Sequence, residues 1–233
     1  IEDVVFSHID PKEILVKTHY KVELIPGCSG TQDMADLSRE QLEDLVRKIM
    51  TISTDAQYLL VDTASGISTG VIYFLLASPE VIIAVSPEPT SLTDAYAMIK
   101  VLKKNDYSGR ISMFSSMVRN SQSGLALYKK IASASQRFLD THVTYLGSVY
   151  NDDKLPKAVT DQVPAVVRYP TSDISRCYRV IAQTLAGQES QEVDQEKFWT
   201  RLLSMITKMS RPKVMTAVSY NGGGGNGNIE STI

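Results

Sequence analysis

Cysteine is scarce in this sequence, with Cys28 and Cys177 the two cysteines among 233 residues. Two cysteines cannot build a disulfide framework or a cysteine-rich zinc site, and we expect both to be free thiols in a reducing compartment. A run of about 18 apolar residues is also missing, which excludes a predicted membrane-spanning helix. The start, Ile1-Glu2-Asp3, has no basic region and no long apolar segment, so we do not expect it to be a signal peptide.

An excess of charge of one sign is lacking as well. The net charge is −2 and the isoelectric point is about 6.0, which argues against a bulk nucleic-acid binder, so no direct nucleic-acid partner is expected. Hydrophobic residues make up 43% and charged residues 21% of the chain, as in ordinary globular proteins. The length predicts one domain with at most an appendage.

Familiar catalytic motifs are missing too. The three histidines are scattered without metal-ligand spacing, and no Gly-x-Ser-x-Gly sequence occurs, which disfavours a triad hydrolase. The string Gly222–Gly227 fits Gly-x-Gly-x-x-Gly, but it follows no predicted strand, and no helix can follow it in the six residues that remain. We therefore do not interpret it as a nucleotide site.

Short apolar runs alternate with longer amphipathic stretches, and this pattern predicts a parallel sheet covered by helices on both faces. Ser38 and Gln41 form a capping-box pattern at the start of the first amphipathic stretch. The predicted strands are Val22–Ile25, Tyr58–Val61, Val81–Val85, Ile111–Phe114, Val143–Leu146 and, more weakly, Ala165–Arg168. The predicted helices begin near Ser38, near Ser91, at Ser121 (ending at Leu139), after Pro170 with Thr171 or Ser172 as cap, and near Asp194 (ending at Met209).

Ligands of open α/β sheets bind beyond the carboxyl ends of the strands, so the residues that follow each strand are candidates for a site. Asp62 follows Tyr58–Val61 and could hold Mg²⁺, while Gly66 would let backbone amides approach an anion. Asp62 could equally cap a helix that begins near Ser68. Ser116, which follows the predicted strand Ile111–Phe114, could bind a base or a phosphate, or could belong to an ordinary turn.

The last predicted helix is basic and amphipathic. Asp194–Lys213 holds two acidic and five basic residues on a chain that is negative overall. Such a helix can lie in a membrane interface or dock on a partner, or it can simply pack on the sheet. The candidate membrane or partner residues are Phe198, Trp199, Leu202, Met205 and Ile206.

Several of these segments together resemble the MinD/ParA-type ATPases, and in particular the flagellar-number regulators FlhG, also called FleN or YlxH. The resemblance extends over residues 1–187. It is carried by Ile25-Pro26-Gly27-Cys28-Ser29-Gly30, Ala35-Asp36-Leu37-Ser38, Asp62-Thr63-Ala64-Ser65-Gly66-Ile67-Ser68, Ser86–Ala97 with Ile99-Lys100, and Arg137-Phe138-Leu139 with Tyr145-Leu146-Gly147.

The resemblance implies a doubly wound, mostly parallel α/β sheet of the P-loop NTPase kind and an ATP-dependent dimerising switch. It implies a bacterial, cytoplasmic protein that is peripheral at the inner membrane. The implied partners are a second copy in the ATP state, an FlhF-like GTPase or flagellar assembly proteins, and the membrane surface. The implied cofactors are ATP and Mg²⁺.

Individual residues inherit expected roles from the matched motifs. Asp62 is expected to support Mg²⁺ through water and to orient the attacking water. Thr63 and Gly66 match the second switch loop, with Gly66 facing the γ-phosphate. Ser116 stands where the family has an adenine-reading asparagine, and Asp152 matches the loop lining the adenine.

The sequence departs from the family in one major respect, since Gly-x-x-x-x-Gly-Lys-Ser/Thr occurs nowhere in it. Without a P-loop the chain by itself is predicted to be inactive, because ATP and Mg²⁺ both need that segment. Either the chain is a fragment, which the missing initial Met and first strand favour, or it is a shortened non-catalytic scaffold that uses residues 87–100 and 198–209 as contact surfaces. We expect a nucleotide-binding domain at 1–187, a basic amphipathic helix at 188–213 and a flexible tail at 214–233.

Overall fold

The computed structural model describes residues 2–7, 9–27, 38–53, 56–187 and 195–208. Helices and strands follow one another along the chain in the order expected of an α/β protein. The elements are α1 (Glu2–Phe6), β1 (Val16–Lys17), β2 (Glu23–Leu24), α2 (Arg39–Ser53), α3 (Thr69–Ala77), β3 (Glu80–Val85), α4 (Pro89–Lys104), β4 (Arg110–Val118), α5 (Ser121–Leu139), β5 (Thr144–Tyr150), α6 (Lys154–Thr160), α7 (Ala165–Arg168), α8 (Asp173–Gly187) and α9 (Gln195–Lys208).

The centre of the fold is a three-stranded parallel sheet in the order β3-β4-β5. Its register pairs Val81 with Ile111 and Ser112 with Thr144. Parallel neighbours need helical crossovers, and α4 and α5 are those crossovers. The sheet confirms the α/β class predicted from the alternation of apolar runs and amphipathic stretches.

Helices cover the two faces of the sheet unequally. On one face Val81, Val85 and Met113 pack into a common core with α4 and α5. On the other face α8 and its neighbours α6 and α7 cover β5 through a core that contains Leu146 and Val149. On β3 this second face is open, because Ile82 and Ala84 are exposed.

Three strand predictions were wrong or only partly right. Val22–Ile25 contributes only β2, which pairs antiparallel with β1 in a separate hairpin. Tyr58–Val61 is not a strand, because a strand needs a neighbour with which it shares hydrogen bonds. Within the described ranges β3 pairs with β4 alone, so Tyr58–Val61 does not pair with its free edge.

Ala165–Arg168 forms the one-turn helix α7 rather than a strand. Although Val-Val favours a strand, tertiary hydrogen bonds decide the local structure here. The buried Ser175 hydroxyl lies 2.7 Å from the Tyr169 carbonyl and 3.1 Å from the Ala165 carbonyl, and it donates its one proton to this pair of acceptors at the turn.

The helix predictions are largely confirmed. The Ser38 and Gln41 side chains each accept the other's backbone N–H, at 3.2 and 2.9 Å, which is the expected capping box. Helix α5 has the predicted bounds. Helix α4 begins at Pro89, two residues before Ser91, since proline is favoured at the first helical position.

Helix α9 packs against α2 and α3 rather than on the sheet. Its candidate membrane residues Phe198, Trp199, Leu202 and Ile206 are buried there, with Met205 half-buried. They share a cluster with Val46, Tyr73 and Ala77. In this conformation the apolar face of α9 is therefore covered by the protein itself.

Some predictions concern residues outside the described ranges. These are the motif residues Cys28–Gly30 and Ala35–Leu37, the helix end at Met209, the domain boundary at 188 and the tail with its Gly222–Gly227 string. Among the helices that are described, none is long and apolar enough to cross a membrane.

Candidate functional site at the carboxyl edge of the sheet

The carboxyl ends of β3, β4 and β5 lie at one edge of the sheet because the strands are parallel. A backbone hydrogen bond joins the ends of β4 and β5 at this edge, since the Asn151 N–H donates to the Val118 carbonyl at 2.9 Å. Next to β3, the Ser86 N–H donates to the Ser91 hydroxyl at 2.9 Å, which ties the loop after β3 to the first turn of α4. The edge is thus built from short, hydrogen-bonded connections.

A β-bulge interrupts β4 at this edge. Two residues of β4, Ser116 and Met117, lie between the paired positions Ser115 and Val118, whereas β5 places one residue opposite them. Met117 has a φ of 55°, in the left-handed region that side chains other than glycine avoid. Holding a methionine there costs about 1–3 kcal/mol, so the surrounding structure must enforce the conformation.

The surroundings of the bulge are tightly packed. The buried Ser115 hydroxyl donates to the Gly124 carbonyl of α5 at 2.8 Å. A Cβ on Gly124 would lie 2.0 Å from the Ser148 hydroxyl oxygen, so glycine lets the first turns of α5 approach β5 closely. Just before this contact, Asn120 caps α5 by accepting the Ser123 N–H at 2.9 Å. The N-terminus of α5 is therefore fixed beside the bulge.

The predicted nucleotide residues Ser116 and Asp152 both lie at this edge. Ser116 is half-buried in the bulge, and Asp152 follows β5 by two residues. Asp152 is half-buried and accepts the N–H of Lys154, the first residue of α6, at 2.9 Å. The structure therefore brings these two residues to the ends of neighbouring strands.

The predicted loop at Asp62 lies apart from that group. Asp62 is exposed and makes no hydrogen bond or ion pair with any described residue, while Thr63 is half-buried. Helix α3 has Ser68 as its N-cap, so Asp62 does not cap it. Gly66 has a φ of 94° and open space around it, a conformation that favours glycine.

The described residues fit only part of a nucleotide–metal site. They place Ser116 and Asp152, the two residues predicted for the base, at the carboxyl edge, and they leave the Asp62 carboxylate without a partner among the described residues. No group of three or more His, Cys, Asp or Glu side chains that could hold a metal lies within the described part of the chain. The sequence has no P-loop, whose backbone amides and lysine would hold the phosphates.

Sequence reasoning missed Met117 and Gly124. A left-handed methionine leaves no local signal, because its cause is the register between β4 and β5. Gly124 could have been noticed as a lone glycine inside a helical pattern, which often marks a close approach.

The opposite, amino-terminal edge holds a second polar group. The Glu80 carboxylate accepts from the buried Ser112 hydroxyl at 2.6 Å and lies 3.8 Å from the Arg110 guanidinium. Burial raises the pKa of the nearby Tyr107 phenol, the Glu80 carboxylate raises it further, and Arg201 opposes the shift. Arg201 of α9 therefore lies close enough to the Tyr107 phenol to act on it electrostatically.

Two curated relatives are similar to the chain over most of its length. The antiactivator FleN of Pseudomonas aeruginosa is 34% identical over 183 residues, which cover 78% of this chain and 65% of FleN. The flagellum site-determining protein YlxH of Helicobacter pylori is 33% identical over 155 residues, which cover 65% of this chain and 51% of YlxH. The chain therefore spans about two thirds of one relative and half of the other. No family model matches the chain.

The fold is also found among solved structures. MinD in the MinC:MinD cell division complex of Aquifex aeolicus superposes with a TM-score of 0.61 at 21% identity, over 80% of this chain and 72% of that one. At this identity the likeness establishes the fold alone, which is the α/β fold of P-loop NTPases.

Proposed function

The chain belongs to the MinD/ParA-type ATPases, in the branch of FleN and YlxH, and from this membership we propose that it is part of an ATP-dependent dimerising switch that regulates flagellar number or placement. The observation that carries the proposal is the carboxyl edge of the sheet. There a strained bulge, Ser116 and Asp152 lie together where α/β sheets bind ligands. The relatives named for flagellar roles supply the process.

Within this proposal different residues of the chain bind the base, the phosphates and the metal. Bound ATP with Mg²⁺ would supply the phosphoryl group and the metal charge. Ser116 and Asp152 line the base side, and Gly66 lets backbone amides approach the γ-phosphate. Asp62, exposed and without a partner among the described residues, is free to hold Mg²⁺ through water and to orient the attacking water.

We propose further that the phosphate-binding segment comes from a longer protein of which this chain is a part. Two observations support this. The edge of β3 is unpaired in the described structure, and the segment before Asp62 exposes Tyr58 (67%) and Leu60 (83%). An apolar, unpaired edge of this kind is a template for one more strand.

The test is ATP hydrolysis by a chain extended at its amino terminus with the family's first strand, the Lys-Gly-Gly-x-Gly-Lys-Thr loop and the helix that follows it. The extended chain is expected to turn over ATP, and Asp62→Ala is expected to abolish turnover while the melting temperature stays the same. Asp106→Asn is the control, because it removes the charge of an exposed acid that precedes β4 at the opposite edge and asparagine tolerates the φ of 54° at this position. Unchanged turnover in Asp62→Ala would refute its role.

Dimerisation and partner binding follow from the same switch. With Mg·ATP the extended chain is expected to sediment as a homodimer, and its binding to an FlhF-like GTPase or to flagellar assembly proteins is expected to depend on ATP. The absence of a P-loop from this sequence favours a second candidate, a non-catalytic scaffold. Partner binding that is equal with and without ATP would support the scaffold.

We also propose reversible attachment at the cytoplasmic side of the inner membrane through α9. Because Phe198, Trp199 and Leu202 are buried against α2 and α3, attachment through this face requires α9 to leave them. Helix α9 has one acidic residue, Glu196, and three basic residues, Lys197, Arg201 and Lys208. The positive net charge of the helix favours binding to anionic lipid.

A change on α2 tests this without altering α9. Val46 is buried in the cluster with α9, so Val46→Asp should expel the helix with its apolar face intact. This variant is expected to bind phosphatidylglycerol vesicles more tightly than the parent chain. Thr51→Asp is the control, because it places the same charge on an exposed position of α2. It should bind the vesicles no more tightly than the parent chain. Equal vesicle binding by Val46→Asp and the parent chain would contradict the membrane proposal.

A further inference from the structure

The corner of the fold where α5 ends exposes an aromatic ring beside an arginine. Phe138, in the last turn of α5, is 67% exposed, and the Arg137 guanidinium carbon lies 5.2 Å from the centre of its ring. The chain passes from this turn into the amino-terminal end of β5, which begins at Thr144. The pair therefore lies at the edge of the sheet opposite to Ser116 and Asp152.

An open groove adjoins this pair. Its volume is about 380 Å³, and it lies between the last turns of α5 and the residues that lead into β5. Its lining consists of Ala132, Ser133, Gln136, Arg137, His142 and Val143. The Gln136 amide nitrogen donates to the Asp140 carboxylate at 3.0 Å, whereas the Arg137 guanidinium belongs to an exposed side chain. The groove thus combines apolar walls at Ala132 and Val143 with an accessible guanidinium.

Helix α5 gives the groove a positively charged surround. The helix has three basic residues, Lys129, Lys130 and Arg137, and no acidic residue. Lys130, Ser133 and Arg137 are exposed and are spaced by three and four residues, so they lie on one outward face of α5. This face is basic on a chain whose net charge is −2.

Helix α4 adds to the positive charge at the same corner. It ends with Lys103 and Lys104, and the Lys103 amine donates to the Asp140 carbonyl at 3.3 Å, which brings the end of α4 to the end of α5. The acidic residue of α4, Asp94, lies near the other end of that helix. Asp106 and Asp140 are the acids that follow the two helices, and the basic residues of the helix ends outnumber them.

We propose that this corner is a docking surface for a segment of a partner protein that has carboxylates next to an apolar residue. The α5 surface consists of Lys130, Ser133, Arg137, Phe138 and His142. Arginine binds a carboxylate through two parallel hydrogen bonds, and arginine and aromatic residues are enriched in protein interfaces. The apolar residue of the partner would fill the groove beside the Phe138 ring. The inference goes beyond the proposed function, because the α5 surface lies at the edge opposite to the residues predicted for the nucleotide.

Two other anionic occupants fit the α5 surface less well. Nucleic-acid-binding domains typically have an isoelectric point above about 9, whereas that of this chain is about 6.0. A helix that enters a membrane interface presents its apolar face to the lipid, but the apolar face of α5, with Leu127 and Ile131, is buried in the core. The charge and the exposed ring together favour an acidic protein segment.

The test is a selection of random short peptides, displayed on phage, for binding to the 233-residue chain. A soluble excess of a variant with both Arg137→Glu and Phe138→Ser removes the peptides that bind elsewhere on the protein. The peptides that remain are expected to be enriched in Asp and Glu next to an aromatic or aliphatic residue.

A synthetic copy of the most enriched peptide then serves as the probe for single variants. Arg137→Glu and Phe138→Ser are each expected to raise its Kd about five- to thirtyfold, as for central interface residues. Lys157→Glu and Val159→Ser are the matched controls, since they make the same changes at exposed positions of α6, and they should leave the Kd unchanged. Because all four side chains are exposed, the melting temperature should stay the same in every variant.

The outcomes do not depend on ATP hydrolysis, so they are separate from those that test the proposed function. Failure to enrich any peptide, enrichment of peptides without acidic residues, or an unchanged Kd in Arg137→Glu and Phe138→Ser would overturn the inference. Duplex DNA and phosphatidylglycerol vesicles are the further probes. If either binds more tightly than the peptide and loses this binding in Arg137→Glu, the inference is overturned in favour of a nucleic acid or a membrane.

Discussion

Replacement of Leu202 by alanine tests whether buried apolar contacts hold α9 on α2 and α3. Leu202 is 1% exposed and lies in the cluster that α9 shares with Val46 and Tyr73. Truncation of a fully buried leucine costs about 2–5 kcal/mol. Since each 1.4 kcal/mol is a factor of ten, the ratio of docked to free α9 should fall about 30-fold to about 4,000-fold.

Two measurements distinguish detachment of α9 alone from unfolding of the whole protein. Trp199 is the one tryptophan of the chain and is 3% exposed, so its fluorescence should shift to the red if α9 detaches alone. If α9 unfolds together with the rest of the protein, the melting temperature should fall by about 4–20 °C. The exposed Thr200 on the same helix supplies the control, since Thr200→Ala should change stability by less than about 0.5 kcal/mol. Unchanged emission and melting temperature in Leu202→Ala would refute the reasoning.

Three further predictions concern the rest of the fold. Gly147→Ala should destabilise the protein by about 1–3 kcal/mol, because the φ of Gly147 is 138° and the new Cβ would lie 3.3 Å from the Ile181 side chain. Urea denaturation measures this loss, and an unchanged free energy of unfolding would contradict the prediction. Ser38→Ala should cost about 1 kcal/mol by loss of the capping box, and retained stability would show that α2 does not need it. The raised pKa of Tyr107, caused by burial and then by Glu80, means that only the unfolded chain ionises this phenol near pH 10. Stability should therefore be fully present below pH about 10 and fall above it, and Tyr107→Phe should flatten a profile of melting temperature against pH.

Local sequence was sufficient where the determining contacts are themselves local. The bounds of α5 and the capping box at Ser38 were predicted because capping residues act within one helical turn. β3 and the first halves of β4 and β5 were predicted from apolar runs that any parallel sheet would bury. The candidate residue Ser116 followed from the rule that ligands bind at strand ends, whereas Asp152 followed from the family resemblance alone.

Prediction failed where a distant partner decides the structure. Tyr58–Val61 has the composition of a strand, yet a strand forms only with a neighbour to share its hydrogen bonds. Ala165–Arg168 is a helical turn rather than a strand, and the buried Ser175 hydroxyl, ten residues from Ala165 in the chain, donates its one proton to the carbonyls of Ala165 and Tyr169 at this turn.

The sequence by itself determined the α/β class, the starts of α2 and α5 and the family motifs, since periodicity, caps and motifs are carried by neighbouring residues. Tertiary structure alone decided that the apolar face of α9 is buried on α2 and α3 and that Met117 is held at a φ of 55°. An amphipathic pattern indicates that the apolar face of a helix must be covered, but it does not indicate which element covers it. The backbone of Met117 is set by the register of two strands that are about 30 residues apart in the chain.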